Sequence, residues 1–398
     1  MINPSVPGWI DKFLAEQNQH PNSLPLNEED FYIRTRNTGF IFGHIVGFDA
    51  AMPIETEERL PQEISKIGML NTLFQMYRLV KQDNNNTDFV KETVAFYNTM
   101  IPRGFNPLKK VLESSSFSSK LEKIIHDRVQ TNEDLFSKNF SHVITNALLF
   151  IDVLAFQQYL QKGSVPEKYS NIIEDIVISI VSLSLKSKTG VSPHDDLLAK
   201  LFESSVRYNK FSNTNISSIS DLDLSYLSNQ LEKYYVIDLA GISLWSDEKV
   251  ENEERYFLFK LGEVLQINDS KVLDSINFIN TFIVTYKSEI PYFNFSNPVK
   301  HFYDQTTESV AILINRNKSR LLKEISESKE LMQLIAKSTR KDLDKDEKKK
   351  IKKQLLDICK TIPSLTIFLL PGGGLLLPIL IKFIPTLLPS SFNENIDD

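Results

Sequence analysis

Lys382 is the only charged residue between Thr361 and Phe392, in a stretch that reads TIPSLTIFLLPGGGLLLPILIKFIPTLLPSSF. An amine within or beside lipid marks a functional candidate, because a charge is costly there unless it serves an ion path. It also lies near enough to the C-terminal end of the run to reach the lipid–water interface along its own methylene stem. The chemistry around it would come from backbone. Pro371, Pro378 and Pro385 recur every seven residues. On a helix they stay near one face. Each removes a hydrogen bond and frees a carbonyl four residues earlier, at Ile367, Gly374 and Ile381. Freed carbonyls at membrane depth must be buried in protein or line a wet cavity, and broken helices of this kind can coordinate cations. Pro363, Pro389 and the triplet Gly372, Gly373, Gly374 complete the set of breaks.

Other residue types point elsewhere or nowhere. Asp247, Glu248, Glu251, Glu253 and Glu254 cluster at a helix start. There they serve as a solvated cap favoured by the helix dipole. Asp342, Asp344 and Asp346 open like a calcium loop, but Glu347 replaces the required glycine and Lys353 stands where the bidentate glutamate belongs. Asp344 as N-cap with Glu347 three residues on is a capping box instead. The six histidines show no pair at metal-ligand spacing. No phosphate loop, nucleotide fingerprint or nucleophile motif is present, so neither enzymatic activity nor a cofactor is expected.

The elements that must position these groups are helical. Trp9, Ile10, Phe13 and Leu14 start an amphipathic helix; Leu70, Leu73, Phe74, Tyr77 and Leu79, then Phe257, Leu258, Leu261, Val264 and Leu265, repeat the stripe. Gly39, Gly43 and Gly47, four apart, predict a smooth groove on a tightly packed internal helix, with a membrane-touching helix as the alternative, and His44 is expected to be packed in that groove. Ile151–Ala155 and Ile237–Gly241 each set one aspartate, Asp152 and Asp238, in an apolar helix, which suggests a degenerate repeat. Ile314, Leu321, Ser328 and Ile335 sit seven apart, with Leu322, Ile325 and Met332 alongside. This is either a weak coiled-coil seam or a helix packed on the chain's own body. The expected divisions are a helical region over 1–130, a helical domain over 131–290, a connector with a basic helix over 291–360, a membrane segment over 361–392 and an acidic tail over 393–398.

The 398 residues carry a net charge of −6 and 41% hydrophobic residues, which suits packed cores and argues against a general nucleic-acid binder. Charge is not evenly spread: Lys337 to Lys360 holds ten basic and five acidic residues. Lys345, Lys348, Lys349, Lys350, Lys352, Lys353 and Lys360 make a basic helix beside the apolar run, suited to anionic headgroups or, less specifically, to RNA phosphate. A single cysteine, Cys359, suits a reducing compartment, and the start MINPSVPGWIDKF lacks the pattern of a secretory signal. The 21 uncharged residues 361–381 are long enough to span a bilayer core of roughly 30 Å. Basic charge before them and acids after them predict a single pass with the bulk of the chain cytoplasmic; a re-entrant hairpin at the PGGG break is the rival topology. The fold class expected is all-α, a multi-helix cytoplasmic body with a C-terminal proline- and glycine-broken transmembrane helix.

From about Leu331 the sequence resembles the LETM family, the leucine-zipper and EF-hand-containing transmembrane proteins of the mitochondrial inner membrane. The resemblance rests on the basic helix leading into Ile362-Pro363, on Pro378, Lys382-Phe383 and Pro385, and on Leu388-Pro389-Ser390 with Phe392. It implies a membrane protein of cation/proton homeostasis, acting on potassium or calcium with protons in the bacterial inner membrane. A single span further requires a homo-oligomer. The alternative is a non-transporting scaffold that associates with ribosomes or, as in LETM-related bacterial proteins, with biofilm. The large domain that follows the span in the family, linked to ribosome binding, has no counterpart before Asp398, and there is no EF-hand. The segment YYVIDLAGISLWSDEKVENEERYFLFKLGEVLQI resembles the TerB-type helical domain of tellurite resistance, which would imply divalent-metal binding by Asp247, Glu251 and Glu254 in place of the solvated cap.

Overall fold

The computed structural model describes residues 2–19, 24–48, 59–100, 116–129, 146–187, 218–245, 252–290, 310–340, 344–362 and 365. All regular structure among them is helical, with no strand. The chain divides into two compact units, one within Met1–Asn294 and the other chiefly Phe295–Asp398.

In the first unit, α1 (Trp9–Gln19) buries Trp9, Ile10, Phe13 and Leu14, the whole stripe read from sequence. α2 (Glu28–Asn37) begins where the Asn27 side chain accepts the Asp30 N–H, and Glu28, Glu29 and Asp30 sit against the positive end of its dipole. α3 (Pro61–Lys81) starts with proline at its first turn, where the missing donor costs nothing. It is buried along most of its length and packs on α5 (Phe117–Val129) and α6 (Phe150–Lys162). α4 (Asn86–Met100) lies on α5 and α6. α7 (Tyr169–Lys186) pairs closely with α8 (Gln230–Leu244), which also touches α2, α9 (Asn252–Leu265) and α10 (Asp269–Tyr286). Helices from both sides of residue 130 thus share one core. α8 sits at the crossing of four neighbours because it is apolar nearly all round, and such a helix is stable only when enclosed.

The glycine groove does not form. Gly39 and Gly43 adopt left-handed φ values of 79° and 72° at the two ends of a 3-10 turn, Phe40–Phe42, whose side chains are all buried. A Cβ on Gly39 would stand 1.9 Å from the His44 carbonyl oxygen, so this glycine serves a tight backbone approach rather than helix packing. His44 is packed as expected, against Phe282 and Tyr286.

In the second unit, helical residues 310–316 lead to α11 (Lys318–Glu327), α12 (Lys329–Arg340) and α13 (Lys345–Thr361). The heptad seam is broken at Ser328, which is extended and separates α11 from α12. Ile314, Leu321, Ile325 and Ile335 are buried with Ile351, Leu355 and Ile358 of α13, so the stripe is satisfied within the unit. No helix among the described residues is long and apolar enough to cross a membrane. Of the expected span over 361–392, only Thr361, Ile362 and Leu365 are described.

Candidate functional site

The basic helix begins as its sequence predicts. The Asp344 carboxylate accepts the N–H groups of Asp346 at 2.9 Å and Glu347 at 2.8 Å, while Glu347 accepts the Asp344 N–H at 3.1 Å. That capping box occupies Asp344 and rules out its use in a calcium loop. α13 turns Ile351, Leu355, Cys359 and Ile362 inward and Lys348, Lys349, Lys352 and Lys353 outward. Burial pushes the Cys359 thiol up to about 12, so it is inert as a nucleophile. Lys350 is held by Glu330 at 3.1 Å and Lys360 by Asp357 at 2.6 Å. Lys348, Lys349, Lys352 and Lys353 make no ion pair among the described residues, although the Lys353 charge reaches Asp357 four residues on, and together they leave one exposed surface positively charged. The Lys345 side chain and the break residues Pro363, Pro371, Gly372, Gly373, Gly374, Pro378, Lys382, Pro385 and Pro389 lie outside what is described.

Asp247 and Glu251 also lie outside the described residues, whereas Glu254 is 2% exposed and so is no solvated cap. No group of three metal-ligating side chains exists among the described residues.

Two of the buried carboxylates of the first unit are the aspartates set in apolar helices, Asp152 and Asp238. Asp152 on α6 accepts from Arg128 Nε at 2.7 Å and Nη2 at 2.5 Å, and from the Tyr97 hydroxyl at 3.0 Å. The two guanidinium bonds form a fork, the strongest pairing a carboxylate has. Asp238 on α8 accepts from the Tyr32 hydroxyl at 2.7 Å and from Ser275, with Arg36 Nη1 only at 3.7 Å. Burial raises the Asp238 carboxyl above its ordinary range, against the pull of Arg36, Ser275 and Tyr32. The same burial, with Asp238 beside it, holds the Tyr32 phenol well above its usual value.

Asp238 also lines a cleft. Its base is Tyr32, Arg36, Asp238 and Ser275; Ile33, Ile237 and Ile267 add apolar wall. Glu29, Lys271 and Asp274 are its outer charges, with Lys271 bonded to Glu29. The acids in apolar helices were visible in the sequence. Their partners were not, since Arg36 and Tyr32 lie some two hundred residues from Asp238, on a short polar helix.

Residues 343–398 match the family model described as LETM1-like, RBD, which coincides with the C-terminal resemblance carried by the basic helix and the proline-broken run. No curated protein and no solved structure matches the chain.

Proposed function

We propose that this chain is a LETM-related protein of the bacterial inner membrane, with the bulk of its residues cytoplasmic, that contributes to cation/proton homeostasis as an oligomer. The observation that carries the reading is continuity. A capped helix with four unpaired lysines runs straight into 21 uncharged residues, within the one segment that matches the LETM1-like model. α13 would rest against anionic headgroups, each lysine near the surface contributing about 1 kcal/mol before screening. Its apolar stripe is already packed inside the second unit, so this adhesion would be electrostatic and would weaken in salt. Residues 361–392 would enter the bilayer, with Lys382 and the carbonyls freed by Pro371, Pro378 and Pro385 beside the ion path of an oligomer.

The test is proton-coupled potassium and calcium flux in liposomes holding the purified chain. Flux reduced by Lys382→Ala and abolished by truncation after Lys360 is the expected result. Its absence with insertion verified would overturn the exchanger reading. The second reading is a membrane-anchored scaffold that meets ribosomes, favoured by the same four lysines, whose attraction to RNA phosphate would be as nonspecific as that to lipid headgroups. Under it, replacing Lys348, Lys349, Lys352 and Lys353 with Gln abolishes ribosome co-sedimentation and leaves Lys382→Ala without effect.

A further inference from the structure

Arg36 is a guanidinium short of acceptors. Its side chain is 14% exposed, its Nε is enclosed without a partner, and its nearest anion is Asp238 at 3.7 Å, beyond hydrogen-bond range. Arginine carries five N–H donors, and a mostly buried one ordinarily finds acceptors because each unmet donor costs desolvation energy. Arg128, in the related site, donates twice to Asp152. At Asp238 the hydroxyls of Tyr32 and Ser275 hold the carboxylate instead, and the Phe278 ring, 4.5 Å from Arg36 Cζ, supports the guanidinium from its face. The two Nη groups, which make no hydrogen bond among the described residues and are not enclosed, can take an acceptor from the cleft that Arg36 lines, whereas the enclosed Nε cannot.

The remaining charges narrow the ligand. Glu29 is bonded to Lys271 in a half-exposed pair of small net worth. Asp274 makes no hydrogen bond or ion pair among the described residues. Asp274 and Arg36 line the same cleft. Three acids and two bases line the cleft. A plain anion meets a surplus of negative charge, and a plain cation meets Arg36 and Lys271. A molecule with both charges and an apolar body between Ile33, Ile237 and Ile267 is opposed by neither.

We propose that this cleft binds a small zwitterion of the α-amino-acid type, with its carboxylate on Arg36, its ammonium on Asp274 and an apolar side chain against the three isoleucines. The test is calorimetric titration of the full chain in detergent with alanine, valine, leucine, methionine and phenylalanine. Beside them run 4-methylpentanoate and 3-methylbutylamine, which are leucine without its amine and without its carboxylate. At least one amino acid should bind, with each half-molecule weaker by about tenfold or more, the scale of one lost charged contact. Arg36→Gln and Asp274→Asn should each lower the affinity comparably. Asp274 is exposed, so its substitution tests the site even where Arg36→Gln unfolds the chain. No binding across the panel, a half-molecule that binds as well as leucine, or affinity unchanged by Asp274→Asn would each overturn the proposal.

Discussion

Asp152 and Asp238 have the same ingredients and use them differently. Each is a buried aspartate in an apolar helix, preceded by isoleucine, facing a tyrosine and an arginine from other helices. At Asp152 the arginine closes on the carboxylate with two short bonds; at Asp238 two hydroxyls do the holding and the arginine stands back over an aromatic ring. The first arrangement ties α5 and α4 to α6. The second ties α2 and α10 to α8 and leaves polar capacity facing a cleft. A buried ion pair is poor evidence of net stabilisation, but breaking one leaves a stranded charge. The two sites should therefore respond unequally to the same substitutions.

The largest difference should come from the arginines. Arg128→Gln removes both guanidinium bonds and the opposite charge from Asp152 and should cost about 3–5 kcal/mol, whereas Arg36→Gln, with both hydroxyls kept, should cost about 1–2 kcal/mol. Urea unfolding in detergent, followed by tryptophan fluorescence, measures both, since Trp9 and Trp245 lie in the first unit. Equal losses would break the comparison.

The pH profile comes next. The Asp238 carboxyl is raised on folding, so the folded state holds its proton over a window where the unfolded chain has lost it. Its contribution is present below that window, falls as pH rises through it, and is constant above. Asp238→Asn should remove that downward slope. His44 acts with the opposite sign: burial takes it down to about 4, so acidification from about 6.5 towards 4 destabilises the fold. The difference between the wild-type and Asp238→Asn profiles isolates the carboxylate.

The tyrosines should reverse the ranking of the arginines. Tyr32→Phe removes one of two hydroxyls that hold Asp238 and should cost about 2 kcal/mol, against about 1 kcal/mol for Tyr97→Phe, where Arg128 remains. A double-mutant comparison of Tyr32 with Ser275 would sharpen this, because groups sharing one carboxylate do not add. The smallest effect belongs to an acid in water. Asp344→Ala should cost about 1 kcal/mol, read as lost helicity by circular dichroism, because it removes only a cap.

How much could be read from the sequence tracks how local each interaction is. The capping box at Asp344 and Glu347 spans three residues and was fully readable, as was the stripe of α1. The burial of Asp152 and Asp238 followed from their apolar flanks. Their partners escaped because side chains brought together from distant helices leave no periodic trace. Tyr32 and Arg36, four apart on a polar helix, look like an ordinary surface pair. Gly39 and Gly43 were misread for a related reason. Spacing of four fits a helical groove, yet both glycines are fixed by left-handed turns, and at Gly39 by the approach of a backbone carbonyl that no pattern announces.

The end of α13 has a mechanical consequence. Arg320 Nη2 of α11 donates to the Thr361 carbonyl at 3.0 Å, and Ile362 and Leu365 are buried in the same unit. A load applied at this end of α13 would be met by two helices at once. Fraying of the last turn of α13 must therefore break a bond between helices as well as those within one.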